Sequence, residues 1–232
     1  MAKNLIIKGG IYHPFDETSE ALADLLAPLG IESEITLDIE GALADLSGYD
    51  LVTMNCLRWR MIQHEKYIPF RDEWAMELSE TARQSLKNHV QGGGGLLGLH
   101  TASICFDTWP EWRDLLGAMW QWGKSHHPEI GDINVSVDPD AHVLVNGLED
   151  FELFDEIYHH LDAAPGAVPM LSAEAEEGPQ PLLFAHEAGQ GRSVYSSLGH
   201  DAVSMRHPTH SRLLQRAACW ALGGSDDEVR AL

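Results

Sequence analysis

Three of the thirteen histidines in this 232-residue chain stand just beyond short apolar runs. His13 closes the segment Gly9-Gly10-Ile11-Tyr12-His13 behind Leu5-Ile6-Ile7. His100 follows Leu96-Leu97-Gly98-Leu99, and His200 lies in Gly199-His200-Asp201 behind the run Ser193 to Leu198. Imidazole titrates near neutral pH, so such a residue can move a proton, hold a metal or, less often, attack as a nucleophile. Asn55, Thr101 and Asp201 are further polar groups at the same kind of position, suited to holding a substrate. Asp155-Glu156 follow the apolar segment Phe151 to Phe154, with Tyr158 beyond. Neighbouring carboxylates point apart, so one of the two enters a pocket. Glu156 there is an acid, a base or a metal ligand, or else it caps a loop.

Gly94 to Ala102 has the layout that exposes one side chain at a strand-to-helix elbow: a glycine-rich turn, a buried strand, a polar residue and then small ones. A cysteine or serine at the elbow would be a nucleophile; this chain has His100. Cys105 lies too far past the elbow to inherit the role and reads as a buried thiol. A divalent ion such as zinc would draw on His13, His100, His126, His200 and Glu156 in an open site. No HExxH or close His-x-His spacing supports it locally. His159-His160 and His207 read as weaker, surface-loop candidates. Trp109, Trp112, Trp120 and Trp122 either stack on a sugar face or serve core packing or an oligomer contact.

The elements that must position these groups alternate through the first hundred residues. Leu5-Ile6-Ile7, Leu51-Val52-Thr53-Met54 and Leu96 to Leu99 are short buried runs, and Ile31 to Leu37 alternates as a strand. Helical spacing recurs at Ala21, Leu22, Leu25, Leu26 and Leu29, with Asp16 as N-cap and Gly30 as stop, then over Ile39 to Leu46 and over Ser79 to Val90. Short apolar strands separated by helices predict a parallel sheet with right-handed crossovers and helices on both faces. Ligands gather at the carboxyl ends of such strands, so polar groups far apart in sequence should meet in one cavity. Further on, Ile133 to Val137 and Val168 to Ala173 read as strands. Leu182 to Ala185 and Ser193 to Ser196 read as a hairpin about Gly189-Gln190-Gly191, and Ser211 to Leu222 as a closing helix. No linker divides the chain, and one domain is expected over residues 1–232.

Fifteen Lys+Arg against 36 Asp+Glu give a formal net charge of -21. That surface repels phosphate backbones and anionic lipid, which argues against nucleic acid and membrane as partners. No signal peptide or membrane-spanning run is read, and Cys56, Cys105 and Cys219 fit reduced thiols, so a cytoplasmic location is expected. A homo-oligomer is the expected assembly.

Gly93-Gly94-Gly95-Leu96-Leu97-Gly98-Leu99-His100, Phe154-Asp155-Glu156-Ile157-Tyr158 and Gly191-Arg192-Ser193-Val194-Tyr195-Ser196-Ser197-Leu198-Gly199-His200-Asp201 resemble, in order, the signature segments of the ThuA-like (trehalose utilisation) family. Gly10-Ile11-Tyr12-His13-Pro14-Phe15 and Ala218-Cys219-Trp220-Ala221 fit the same pattern, so the resemblance spans nearly the whole chain. It implies the fold of the class I glutamine amidotransferase-like superfamily: a flavodoxin-like, three-layer α/β sandwich with a mostly parallel central sheet. In that fold the catalytic cysteine lies where His100 stands and the partner histidine near His200, so the resemblance also implies loss of the amidotransferase mechanism. His126-His127-Pro128 resembles a family histidine segment. Two departures stand out: His142 is followed by Val143 instead of proline, and Pro181 by Leu182-Leu183-Phe184 instead of tryptophan, which alters the expected pocket wall.

The family is associated with disaccharide use beside sugar oxidation, which implies a small-molecule sugar ligand, an oxidised (keto) sugar among them. On that reading His100 and His200 transfer protons, Glu156 assists, and His13 and Tyr158 orient hydroxyls. Two other expectations compete: a non-catalytic carbohydrate- or metabolite-binding module on the same scaffold, and a metal-dependent hydrolase of a non-sugar substrate.

Overall fold

Strands that are apolar along their whole length need cover on both faces, and the first half of the chain supplies it. In the computed structural model, which describes residues 1–232, β1 (Ala2–Gly9), β2 (Ile31–Thr36), β3 (Leu51–Cys56) and β4 (Gly95–Leu99) run parallel. Every residue of β3 and β4 is buried. The connections carry α1 (Phe15–Leu26), α2 (Ile39–Ala44), α3 (Arg71–Trp74) and α4 (Glu80–Gln91). Asp16 does not cap α1; it sits in the first turn, where a carboxylate suits the positive end of the helix, and pairs with Lys8.

The second half holds α5 (Trp112–Leu116), β5 (Ala118–Met119), β6 (Gly131–Val137), β7 (Phe151–Asp155), β8 (Asp162–Ala163), β9 (Val168–Ala173), β10 (Gln180–Ala188) and β11 (Gly191–Ser196). Three helices close the chain: α6 (Ala202–Met205), α7 (Pro208–Ala221) and α8 (Asp226–Arg230). β11 enters beside β4 in parallel, and from there the pairing is antiparallel, giving the order β2-β1-β3-β4-β11-β10-β9-β6-β7. β5 and β8 form a separate small pair. Along β6 buried and exposed residues alternate, as in a strand with one solvated face. The sequence-predicted strands and helices are present. In addition Phe151–Asp155 forms a strand, and the closing helix starts at Pro208, whose fixed φ suits a first helical turn. No helix is long and apolar enough to cross a membrane.

In a flat sheet β7 would stand four strand spacings, about 19 Å, from β11. Yet an Asp155 carboxylate oxygen at the end of β7 accepts a hydrogen bond from the Gly199 amide beyond β11 at 2.8 Å. The antiparallel half therefore curls back over the carboxyl ends of the parallel half. Register shifts in β10, between Pro181 and Leu183 and between Leu183 and Phe184, supply a bend, since such irregularities kink and overtwist a strand. Leu182, Leu183 and Phe184 are buried in the core. The segment expected to alter a pocket wall instead belongs to this bend.

Candidate active site

The loop after β1 can carry His13 inward only because Gly10, at φ +144, has no side chain: a Cβ there would lie 2.6 Å from the Leu57 carbonyl oxygen. His100 opens the short turn after β4 at φ +44, a left-handed conformation that non-glycine residues adopt at strained elbows. The Tyr195 hydroxyl donates to the His100 carbonyl at 2.8 Å and fixes it there. Asp155 anchors the remaining two groups. Its carboxylate accepts from the amides of Glu156 and Gly199, both at 2.8 Å, from the His200 amide at 3.3 Å, and from the Ser204 hydroxyl. The paired carboxylates thus divide the work: Asp155 holds backbone, and Glu156 faces the site.

The outcome is one cluster in which ligand atoms of His13, His100, Glu156 and His200 lie within 4.8 Å of one another. His13 Nε2 is 3.2 Å from His100 Nε2. Glu156 Oε2 is 3.3 Å from His100 Nε2, and Oε1 is 3.5 Å from His200 Nδ1. Tyr158 places its hydroxyl 3.1 Å from His100 Nε2, and His127 Nδ1 lies 3.5 Å from Glu156 Oε1.

Hydrogen-bond partners assign the tautomers. His13 Nδ1 lies 3.1 Å from the Ile11 carbonyl and His100 Nδ1 2.6 Å from the Ser197 carbonyl. A carbonyl only accepts, so both Nδ1 atoms carry a hydrogen, and in the neutral form of each ring Nε2 presents a lone pair. Two lone pairs facing each other repel unless a proton or a cation lies between them. Glu156 Oε2 and His200 Nδ1 are also buried without a hydrogen-bond partner. Three imidazoles and one carboxylate are a donor set for zinc or a similar divalent ion, and carbonyls behind ligand imidazoles orient them. The residues fit such an ion.

Burial, reinforced by His100, lowers the pKa of His13 to about 3. Burial works against ionising Glu156, but His100 and His200 outweigh it and hold its carboxyl below the ordinary range. The Glu156 carboxylate in turn raises His200. Burial pushes the Tyr158 hydroxyl well up, so it remains a hydrogen-bond donor. His13 is therefore neutral in the fold but protonates near 6.5 once unfolded. Its contribution to stability is present above that pH and is lost as pH falls toward about 3. In chelator-treated protein, the drop in urea midpoint between about pH 7.5 and about pH 5 is expected to be smaller for His13→Gln than for the parent chain. Equal drops would contradict a buried, neutral His13.

The other sequence-level candidates sit elsewhere. Asn55 is buried and donates to the Thr18 and Ser19 hydroxyls, each at 2.9 Å; Thr101 is buried and donates to the Cys56 carbonyl at 2.8 Å. Asp201 caps α6 by accepting from the Ser204 amide at 2.9 Å. His126 lies apart from the cluster, with His159, His160 and Glu177. His127, its neighbour, is the ring that faces Glu156, and neither it nor the anchoring role of Asp155 was read from sequence. Trp109 and Trp112 are core residues, whereas Trp120 is half-buried and packs edge-on against Tyr158 with ring centroids 5.2 Å apart. Cys56 and Cys105 are buried thiols whose sulfurs lie 3.8 Å apart.

The sheet flanked by helices, the elbow at His100 and the strand-end cluster define a mixed α/β scaffold whose polar groups gather beyond the carboxyl ends of its parallel strands. The chain belongs to the ThuA family, described as trehalose utilisation, whose model matches residues 3–221. It is similar to a ThuA-like protein of Parabacteroides merdae ATCC 43184, with TM-score 0.76 and 21% identity over 96% of this chain and 91% of that one. A ThuA-like protein of Bacteroides uniformis ATCC 8492 gives TM-score 0.71 and 18% identity over 97% and 94% of the two chains. A beta-galactosidase from Bacillus circulans sp. alkalophilus gives TM-score 0.60 and 14% identity, over 97% of this chain but 32% of that chain. Among curated proteins none matches the chain at a significant level. At the family level the chain is tied to carbohydrate.

Proposed function

We propose that this chain is a metal-assisted enzyme acting on a sugar derivative at the His13–His100–Glu156–His200 cluster. The observation that supports it most is the 3.2 Å approach of His13 Nε2 to His100 Nε2, beside buried and unpartnered atoms of Glu156 and His200. His13, His100, Glu156 and His200 would hold a divalent ion, which would supply Lewis-acid polarisation of a substrate oxygen. Tyr158, held protonated by burial, donates a hydrogen bond to a substrate oxygen next to His100. His127 lies at the mouth, with its side chain 43% exposed, and carries a proton between the pocket and solvent. Trp120 gives an apolar wall beside Tyr158 and His127, suited to the apolar face of a pyranose. An oxidised (keto) sugar suits the set, because its carbonyl oxygen can be polarised while its hydroxyls meet Tyr158 and His127.

The test is incubation of the purified protein with oxidised and ordinary disaccharides, with and without added Zn2+, followed by mass spectrometry. Zinc-dependent conversion of an oxidised sugar is expected. Binding without conversion favours a non-catalytic module, and neither binding nor conversion across the panel removes the sugar assignment. Given a substrate, Trp120→Ala is expected to raise KM by about 10-fold with kcat nearly unchanged, the loss of one aromatic wall. A fall in kcat alone would remove Trp120 from substrate binding.

A further inference from the structure

The residue that left the first cluster, His126, marks a second one. Residues 126 and 159 form an antiparallel bridge, with the His159 amide donating to the His126 carbonyl at 2.8 Å. Side chains alternate along extended backbone. Accordingly His127 and Tyr158 face the first site, while His126 and His159 face away from it. His160, in a left-handed conformation at φ +54, joins them. Its carbonyl accepts from the Ser125 hydroxyl at 2.8 Å and its amide donates to the Gln180 side chain at 3.0 Å. Across from the three rings stands Glu177, in the acidic turn between β9 and β10. Its Oε2 lies 3.6 Å from His126 Nε2, 3.5 Å from His159 Nδ1 and within hydrogen-bond reach of His160 Nε2.

We propose that His126, His159, His160 and Glu177 form a second divalent-metal site, of the zinc class, distinct from the cluster around His100. Four donor atoms within 4.8 Å of one another surround the position. In a tetrahedron with metal–ligand bonds of about 2.0–2.1 Å the ligands are about 3.3–3.4 Å apart. The 3.5 and 3.6 Å separations from Glu177 are close to that edge, whereas His160 Nε2, hydrogen-bonded to the same oxygen at 2.5 Å, must draw back by about 0.8 Å to admit the ion. His126 Nδ1 lies 3.2 Å from the Lys124 carbonyl, so that nitrogen carries the hydrogen and Nε2 offers its lone pair inward. The bridge and the Ser125 and Gln180 contacts hold the histidine backbones independently of Glu177, so three donors converge before the fourth arrives. An ion here ties the acidic turn to the bridge. It thereby steadies His127 and Tyr158, the chain neighbours that face the first site, and its role is structural.

The experiment is zinc stoichiometry by equilibrium dialysis on chelator-stripped full-length protein, comparing the parent chain with His126→Ala, Glu177→Ala and His200→Ala. The side chains of His126 and Glu177 are 51% and 50% exposed, so their removal opens no core; circular dichroism checks the fold. His126→Ala and Glu177→Ala are each expected to lose one zinc equivalent that His200→Ala retains. Zinc binding unaffected by the first two variants, or abolished entirely by His200→Ala, overturns the second site. One equivalent that depends on His126 and Glu177 but not on His200 upholds it, while counting against a metal in the first cluster.

Discussion

Glu156→Gln is expected to lose one equivalent of zinc and to lower kcat/KM by about 100-fold or more, while leaving the fold intact. Glutamine has the shape of glutamate but no charge, and Glu156 is the sole carboxylate among the three imidazoles of the cluster. In the parent chain its Oε2 is buried without a hydrogen-bond partner and lies 3.3 Å from His100 Nε2. A neutral amide cannot balance a divalent charge there, and its NH2 group can donate to the lone pair that an ion would otherwise take. Dialysis against Zn2+ and turnover of the proposed oxidised-sugar substrate read the two effects separately. Loss of turnover with zinc retained would make Glu156 an acid or base instead of a ligand. Retention of both would remove it from the site.

Asp155→Ala is expected to destabilise the protein by about 3 kcal/mol or more, because it strands several donors in the interior at about 1–3 kcal/mol each. Asp155 is 1% exposed and accepts from three backbone amides and one hydroxyl. For a domain of this size the melting temperature should fall by about 6–12 °C. Asp155→Asn keeps one acceptor oxygen and should lose less. The deletion also frees the Gly199–His200 segment, so turnover should drop although no cluster residue has been touched. A melting temperature within about 2 °C of the parent would show that solvent replaces the carboxylate without cost.

The parallel half of this fold is open to sequence reasoning because its strands are short, continuously apolar and punctuated by helices. Strand-end logic then places His13, His100 and His200 at one edge, and they do meet. The same logic fails for Asn55 and Thr101. A polar residue at a strand end can turn inward, and both donate to interior partners. Glu156 is a different case: its segment belongs to a strand far away in the sheet order, and only the bend in β10 returns it to the cluster. Bulges carry little sequence signal, so that return could be implied only by the family's motif order. For His126-His127 the information was present but unused. Adjacent residues on extended backbone face opposite ways, so no more than one of the pair could serve the first cluster.

The curl of the sheet makes the proposed site a reporter of assembly. Its imidazoles follow β1, β4 and β11, but its carboxylate hangs from β7, the outermost strand on one side, which Asp155 ties at its end to the Gly199–Ser204 segment. Losing that strand would carry Glu156 out of the cluster and break the Asp155 contacts that hold the Gly199–His200 segment. The proposed activity should therefore disappear at denaturant concentrations no higher than those that melt the central strands.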